Sequence, residues 1–225
     1  MNINTIDYIG FERILKRGTG RVIEESERAL FLYDAVSEVY FLACKDYETG
    51  MDILDRHIND DCKALMVTNT EIAEEAIKRF GFEGPMNCYQ FVYCDEQVDE
   101  GECIATRTAT VDDLPMLLAN YDLVGPEELR KVVECGNVML GYDGDKLIGF
   151  IGEHLEGSIG MLYIFPEQRR KGYASALEKK LIQRTIDNGF IPFGHVVKDN
   201  AASIELQKKL GMKQADNIVS WLWRE

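Results

Sequence analysis

Residues Ser158 to Glu178 read SIGMLYIFPEQRRKGYASALE, and the rest of the chain is organised around them. Ser158 to Phe165 is short, apolar and aromatic, the composition of a buried strand, and Pro166 ends it. Arg169, Arg170 and Lys171 then stand against Gly172, and from Ala174 onward small and apolar residues recur at helical spacing through Leu177, Leu181 and Ile186. A strand therefore runs through a basic, glycine-containing turn into a helix start. Backbone N–H groups and the positive end of a helix dipole converge there beside three cations, an arrangement that suits a pyrophosphate. A charge run by itself is ordinarily a solvated turn. Here it stands in a chain of 225 residues with a formal net charge of −14, so a cluster of cations runs against the field of the whole protein.

With 46% hydrophobic and 28% charged residues the chain has the composition of a soluble globular protein of one or two domains. The cysteines Cys44, Cys62, Cys88, Cys94, Cys103 and Cys135 show no paired zinc spacing, and no cleavable or membrane-spanning apolar run is evident. They read as reduced thiols of a cytoplasmic protein. His57, His154 and His195 are isolated from one another in sequence, so no metal site is expected. The acidic balance argues against nucleic acid and anionic membranes as partners and favours a cationic amine.

In chain order, Ile3, Ile6, Ile9, Ile14 and Leu15 predict a short amphipathic helix broken at Gly18. Strands are predicted at 29–33, 39–43, 64–68 and 87–93, with helices between them through Ile53, Leu54 and Ile58, and over 71–80, the latter closed by Gly81. The acidic stretch Asp95 to Glu102 is the one composition shift and marks the expected domain boundary, giving domains 1–100 and 101–225. Beyond it, Cys103 to Arg107 predicts a strand, and Thr110 with Asp113 a capping box. Gly125 and Pro126 open a helix, and Asp143-Gly144 marks a hairpin between 137–142 and 146–151. Phe190 to Val197 is a further strand, Asn200 caps a helix ended by Gly211, and Asn217 to Trp223 is the last strand.

The two halves look alike at their ends. Setting Phe80-Gly81-Phe82 against Leu210-Gly211-Met212 brings Asn87 onto Asn217 and Phe91-Val92-Tyr93 onto Trp221-Leu222-Trp223 without a gap. This predicts a tandem duplication of one fold. The first copy is degenerate, since its strand-to-helix turn, CKDYETGMD, holds one cation and no glycine-backed arginine pair. The first half is expected to pack on the second through these terminal strands.

From Cys103 to Trp223 the sequence resembles the GNAT superfamily of acyl-CoA-dependent N-acyltransferases. Arg169-Arg170-Lys171-Gly172-Tyr173-Ala174 is similar to the family's Q/R-x-x-G-x-G/A loop, preceded by Ile164-x-Pro166, and Asn200, Ser203 and Lys209-Leu210-Gly211-Met212 resemble its second motif. The run PFGHVVKDNAASIELQKKLGM looks most like the glycine-N-acyltransferase-like branch. The resemblance implies an α/β fold of the α+β kind, a mixed central sheet flanked by helices. It also implies acetyl-CoA as co-substrate without a metal, and a small-molecule amine or amino acid as acceptor. On that resemblance Leu162, Tyr163 and Ile164 line the pantetheine and acyl carbonyl through their backbones. Arg169, Arg170, Lys171, Gly172, Tyr173, Ala174 and Ser175 wrap the pyrophosphate, while Asn200 and Ser203 contact pantetheine or nucleotide. A monomer or homodimer is expected.

Acyl transfer to an amine by direct attack needs reactants held in attack geometry, worth up to about 7–11 kcal/mol of barrier. It also needs donors for the oxyanion and routes for two protons. An alkyl ammonium with a pKa near about 10.4 must lose a proton and a thiolate with a pKa near about 8.5 should gain one. The glutamate that many members carry falls on Ser158 and the tyrosine on Gln207, and neither replacement moves a proton directly at neutral pH. Glu153, His154 and Glu156 all lie near the hairpin that leads into the central strand, and the expected base is Glu153 or Glu156 rather than a cysteine or histidine. The alternative reading is an acyl-CoA-binding protein that has lost catalysis.

Overall fold

The computed structural model describes residues 1–3, 5–99 and 104–224. After a 3₁₀ turn at Ile6–Tyr8 the elements are α1 (Ile9–Arg17), β1 (Gly20–Glu25), β2 (Ala29–Asp34), β3 (Val39–Cys44), α2 (Tyr47–His57), β4 (Ala64–Val67), α3 (Thr70–Phe80) and β5 (Glu83–Val92). Then follow β6 (Ala105–Thr108), α4 (Leu114–Leu118), α5 (Pro126–Glu134), β7 (Val138–Asp143), β8 (Lys146–Glu153), β9 (Ile159–Ile164), α6 (Tyr173–Asp187), β10 (Phe193–Val197), α7 (Ala201–Lys209) and β11 (Lys213–Trp223). The expected architecture, a mixed sheet flanked by helices, is observed.

Two compact units form, Met1–Val92 with Phe193–Glu225, and Tyr93–Pro192. These are not the two sequence halves. In the first unit the strands run β1-β2-β3-β4-β11-β5-β10, with β3 and β4 parallel and the other neighbours antiparallel. The last strand of the chain is thus seated between β4 and β5, and the last strand of the first half, β5, pairs with β10. Each half has handed its terminal strand to the other. The alternation of β2 explains the two cores: Ala29 and Phe31 pack with α2 and α3 through Met51, Leu54, Ile72 and Ala76, whereas Leu30 and Leu32 pack with Phe11 and Ile14 of α1. On β11, Leu222 enters the first of these cores and Val219 the second.

Arg224 fastens the end of β11. Its guanidinium donates to the carbonyl oxygens of Cys62 (2.7 Å), Phe80 (2.8 Å) and Asn59, and lies 4.8 Å from the centre of the Phe82 ring. Removing it strands three acceptors that fold against one cation. Arg224→Ala is expected to cost about 2 kcal/mol, read as a lower urea midpoint. An unchanged midpoint would show that water replaces the guanidinium without loss.

In the second unit β6, β7, β8 and β9 form an antiparallel meander. Leu114, Leu117, Leu129, Val132 and Val133 of α4 and α5 cover one face, against Leu140, Phe150 and Met161. Helix α6 covers the other face, and its Leu177 comes so close to β7 that a Cβ at Gly141 would lie 2.6 Å from it. The capping box forms: Asp113 accepts from the Thr110 N–H at 2.8 Å and takes both arms of Arg107, at 2.7 and 2.8 Å. Arg107 holds the Asp113 carboxyl down to about 2, with the Thr110 contacts adding to it. The folded pKa is depressed, so this contribution to stability is complete above the ordinary value of 3.8 and is lost as pH falls through about 2. Asp113→Asn should flatten that limb of the acid-unfolding curve, and an unaltered limb would assign it to other carboxyls.

Most elements fall where periodicity places them, with informative exceptions. β1 is unforeseen because in its GRVIEE sequence, an edge strand, the two apolar residues Val22 and Ile23 are adjacent rather than alternating. β5 and β11 run longer than expected, since each is flanked on both sides, and β10 is shorter, starting at Phe193. Cys103, the first residue of the expected 103–107 strand, lies outside the described residues. So do Glu100, Gly101 and Glu102 of the expected boundary.

Candidate active site

The basic turn lies between β9 and α6, as its sequence implies. A 3₁₀ turn at Pro166–Gln168 follows the strand, then Arg170 with φ 63° and Gly172 with φ 86° bring the chain into α6. Gly172 is the N-cap residue and offers no side chain, so the first-turn N–H groups of α6 have no side-chain cap, and no acidic residue occupies that turn. The three cations are not equivalent. Arg169 donates to the Ile164 carbonyl at 3.0 Å and lies 5.7 Å from the centre of the Tyr163 ring, so it closes the turn. Lys171 donates at 3.0 Å to Oε1 of the buried Gln168, which pins it beside the helix start. Arg170 is exposed. Tyr173, the first residue of α6, is tied by its hydroxyl to Asp143 at 2.5 Å, whereas Ala174 and Ser175 are half-buried in the first turn.

Leu162, Tyr163 and Ile164 lie directly before this turn, with Leu162 inside a β-bulge and the other two beyond it. Phe150 faces Tyr163 and Gly152 faces Gly160, so Met161 and Leu162 together oppose Ile151. Met161 takes φ 55°, a left-handed conformation for a residue with a Cβ. The bulge interrupts the ladder and turns backbone groups of the strand away from β8 at the position where the resemblance places the acyl carbonyl. Tyr163 itself packs, stacked at 5.4 Å on Phe150 and edge-on to Phe165.

The two carboxylates expected as base part company. Glu153 is buried and accepts from Thr185 Oγ1 of α6 at 2.7 Å, and its charge acts on Arg184. Glu156, also buried, accepts from the Ser158 hydroxyl and belongs with Tyr121, Glu128 and His154. In that group Tyr121 Oη lies 3.5 Å from His154 Nε2 and takes the Met161 backbone N–H, so it braces the bulge. Burial pushes the Tyr121 phenol up, with the charges of Glu128 and Glu156 in the same direction. Burial also raises the Glu128 carboxyl; His154 opposes this, Glu156 adds to it and Lys131 opposes it. Tyr121 and Glu128 carry no local sign of this role, because they come from separate elements. A Cβ at Gly160 would lie 2.5 Å from His154 Nε2, a close approach that only the fold brings about.

Asn200 and Ser203 belong to the first compact unit, where the Asn200 side chain caps α7 by accepting from the Ser203 N–H at 3.1 Å. Gln207, at the tyrosine position, is buried on the same helix. The corresponding helix of the first half, α3, is capped in the same way by Asn69, and Gly81 (φ 72°) and Gly211 (φ 77°) follow the two helices. The turn at Lys45 to Asp52 differs. There the Asp46 carboxylate accepts from Thr49 N–H at 3.0 Å and Thr49 Oγ1 at 3.0 Å, so a negative charge already fills the N-terminus of α2. Those Thr49 bonds, and then Arg28, hold its pKa below the usual carboxylate value.

Among the described residues, no group of three or more His, Cys, Asp or Glu side chains could hold a metal ion, and no helix is long and apolar enough to cross a membrane. The model of the FR47-like protein family matches residues 139–222, from β7 into β11. No curated protein matches the chain. Among solved structures, a Drosophila protein is similar over 99% of this chain and 91% of its own, at 17% identity and a TM-score of 0.69. A GNAT-family acetyltransferase from Colwellia psychrerythraea is similar over 91% and 84%, at 14% identity and a TM-score of 0.53. A GCN5-related N-acetyltransferase from Kribbella flavida is similar over 97% and 93%, at 10% identity and a TM-score of 0.56. Likeness over nearly the whole chain, together with a family match on the bulged strand and the basic turn, gives this protein the GNAT fold.

Proposed function

We propose that the protein is an N-acetyltransferase that moves the acetyl group of acetyl-CoA to a primary amine of a small molecule or amino acid by direct attack. The observation that carries this is the start of α6: an uncapped helix N-terminus behind Gly172, free of acid and flanked by Arg169, Arg170 and Lys171. A pyrophosphate supplies the charge and the acceptors that this turn lacks. The bulge at Met161 supplies a backbone site for the acyl carbonyl one turn away in sequence, and bound acetyl-CoA would bring the activated thioester to it. The FR47-like match and the names of the structural neighbours support the same reaction class.

The first half, residues 1–100, is on this reading a degenerate copy of the second. The matched asparagine caps and glycines support duplication, and Asp46 gives the physical reason for degeneracy: a carboxylate sits where the phosphate would. Placement in the glycine-N-acyltransferase-like branch belongs to the same proposal. The net charge of −14 supports a cationic amine as partner over nucleic acid or an anionic membrane, in a cytoplasmic monomer or homodimer.

A second reading, an acyl-CoA-binding protein without catalysis, is favoured by Ser158 and Gln207 at the positions of the family's glutamate and tyrosine. Thiol release from acetyl-CoA over a panel of amines and amino acids separates the two. Amine-dependent release with a mass gain of one acetyl group on the acceptor supports the enzyme. Binding without release on any acceptor supports the binder.

A further inference from the structure

We propose that His154 is the group that takes the proton from the attacking ammonium, with Tyr121 beside its ring, which deepens and rests on the acetyl transfer proposed above. Three observations lead there. The imidazole lies against β9 directly over Gly160, one residue before the bulge, and the three atoms nearest to a Cβ at 160 would all be its own, the first Nε2 at 2.5 Å. Its backbone is fixed by His154 N–H to Ser158 O (2.8 Å) and by Gly157 N–H to His154 O (2.9 Å), and its ring stands 6.4 Å from that of Tyr121. Finally, it is half-exposed, whereas Glu153 is buried under Thr185 and Glu156 is buried under Ser158. A base must reach the acceptor; His154, Tyr121 and Glu128 are each half-buried, and of these the imidazole lies directly over Gly160 at the edge of the bulge.

The ionisable groups gathered round the ring come from three elements: Tyr121 after α4, Glu128 on α5 and Glu156 in the turn before β9, with Asp122 acting on Tyr121 and Lys131 on Glu128. The surroundings are mainly negative, which favours the acceptor's ammonium beside the ring. The balance is simple. The imidazole removes one proton from R–NH₃⁺ and passes it to solvent. The nitrogen lone pair forms the C–N bond as the C–S bond breaks, and the proton leaving that nitrogen goes to the departing thiolate, giving amide and thiol.

The test is the pH profile of kcat/KM for thiol release by the full chain, for the natural sequence, His154→Gln and Gly160→Ala. The natural protein should show an acid limb that belongs to the imidazole. His154→Gln should lose that limb and fall by about 100-fold or more near neutrality, recovering at alkaline pH as the amine deprotonates unaided, with acetyl-CoA affinity unchanged. Gly160→Ala keeps the imidazole but pushes it off the strand, and should lower kcat at unchanged acetyl-CoA affinity. A His154→Gln profile that overlays the natural one overturns the proposal and leaves the acetyltransferase reading intact. So does a loss confined to acetyl-CoA affinity. A natural protein that releases no thiol with any amine overturns both.

Discussion

Gly172→Asp should abolish acyl-CoA binding while leaving a folded protein. Gly172 has φ 86° and stands at the N-cap of α6. Any other residue there carries left-handed strain of about 1–2 kcal/mol, which Gly172→Ala shares and which therefore serves as the control. The aspartate adds what the alanine does not, an anion placed to accept from the same N–H groups that the pyrophosphate needs. The chain already contains this experiment at Asp46, whose carboxylate occupies the start of α2. Calorimetry with acetyl-CoA should therefore show the Asp variant weaker than the Ala variant by at least about 100-fold, the scale of exchanging a charge-assisted contact for a repulsion. Equal affinities for the two variants would place the phosphates elsewhere.

A fragment of residues 101–225 should not fold as an independent domain. In the full chain β11 is paired on one side to β4 and on the other to β5, and β10 is paired to β5; the fragment lacks β4 and β5. Val219 and Leu222, each 1% exposed, would lose the cores formed with α1 and with α2 and α3. A strand bare on both edges with apolar faces uncovered is an aggregation template. The expected result is poor solubility and no cooperative thermal transition. A monomeric fragment that melts sharply at the temperature of the full chain would show that the exchanged strands contribute little.

How far the sequence discloses these features depends on their range. The strand, turn and helix from Ser158 to Glu178 are local, so apolar runs, Pro166 and Gly172 suffice to place them. The caps at Thr110 and Asn200 and the left-handed Gly81 and Gly211 are likewise written in three or four residues. The strand exchange is not, because nothing within β5 or β11 specifies which neighbour each takes; matching apolar strands fit either half. The same limit separates Glu153 from Glu156. Both precede β9 in sequence, but one lies under Thr185 of α6 and the other beside Tyr121 and Glu128, a difference set by which face of the meander each reaches. Tyr121 and Glu128 join His154 only through the packing of α4 and α5 on the sheet.

The central claim is that one acyl-CoA site exists in the chain, at the basic turn before α6, and that the matching turn of the first half has lost it. Calorimetric titration of the full-length protein with acetyl-CoA tests this most directly. The account predicts binding with a stoichiometry of one per chain, lost in Gly172→Asp. Two sites per chain, or a site that survives Gly172→Asp unchanged, would contradict it.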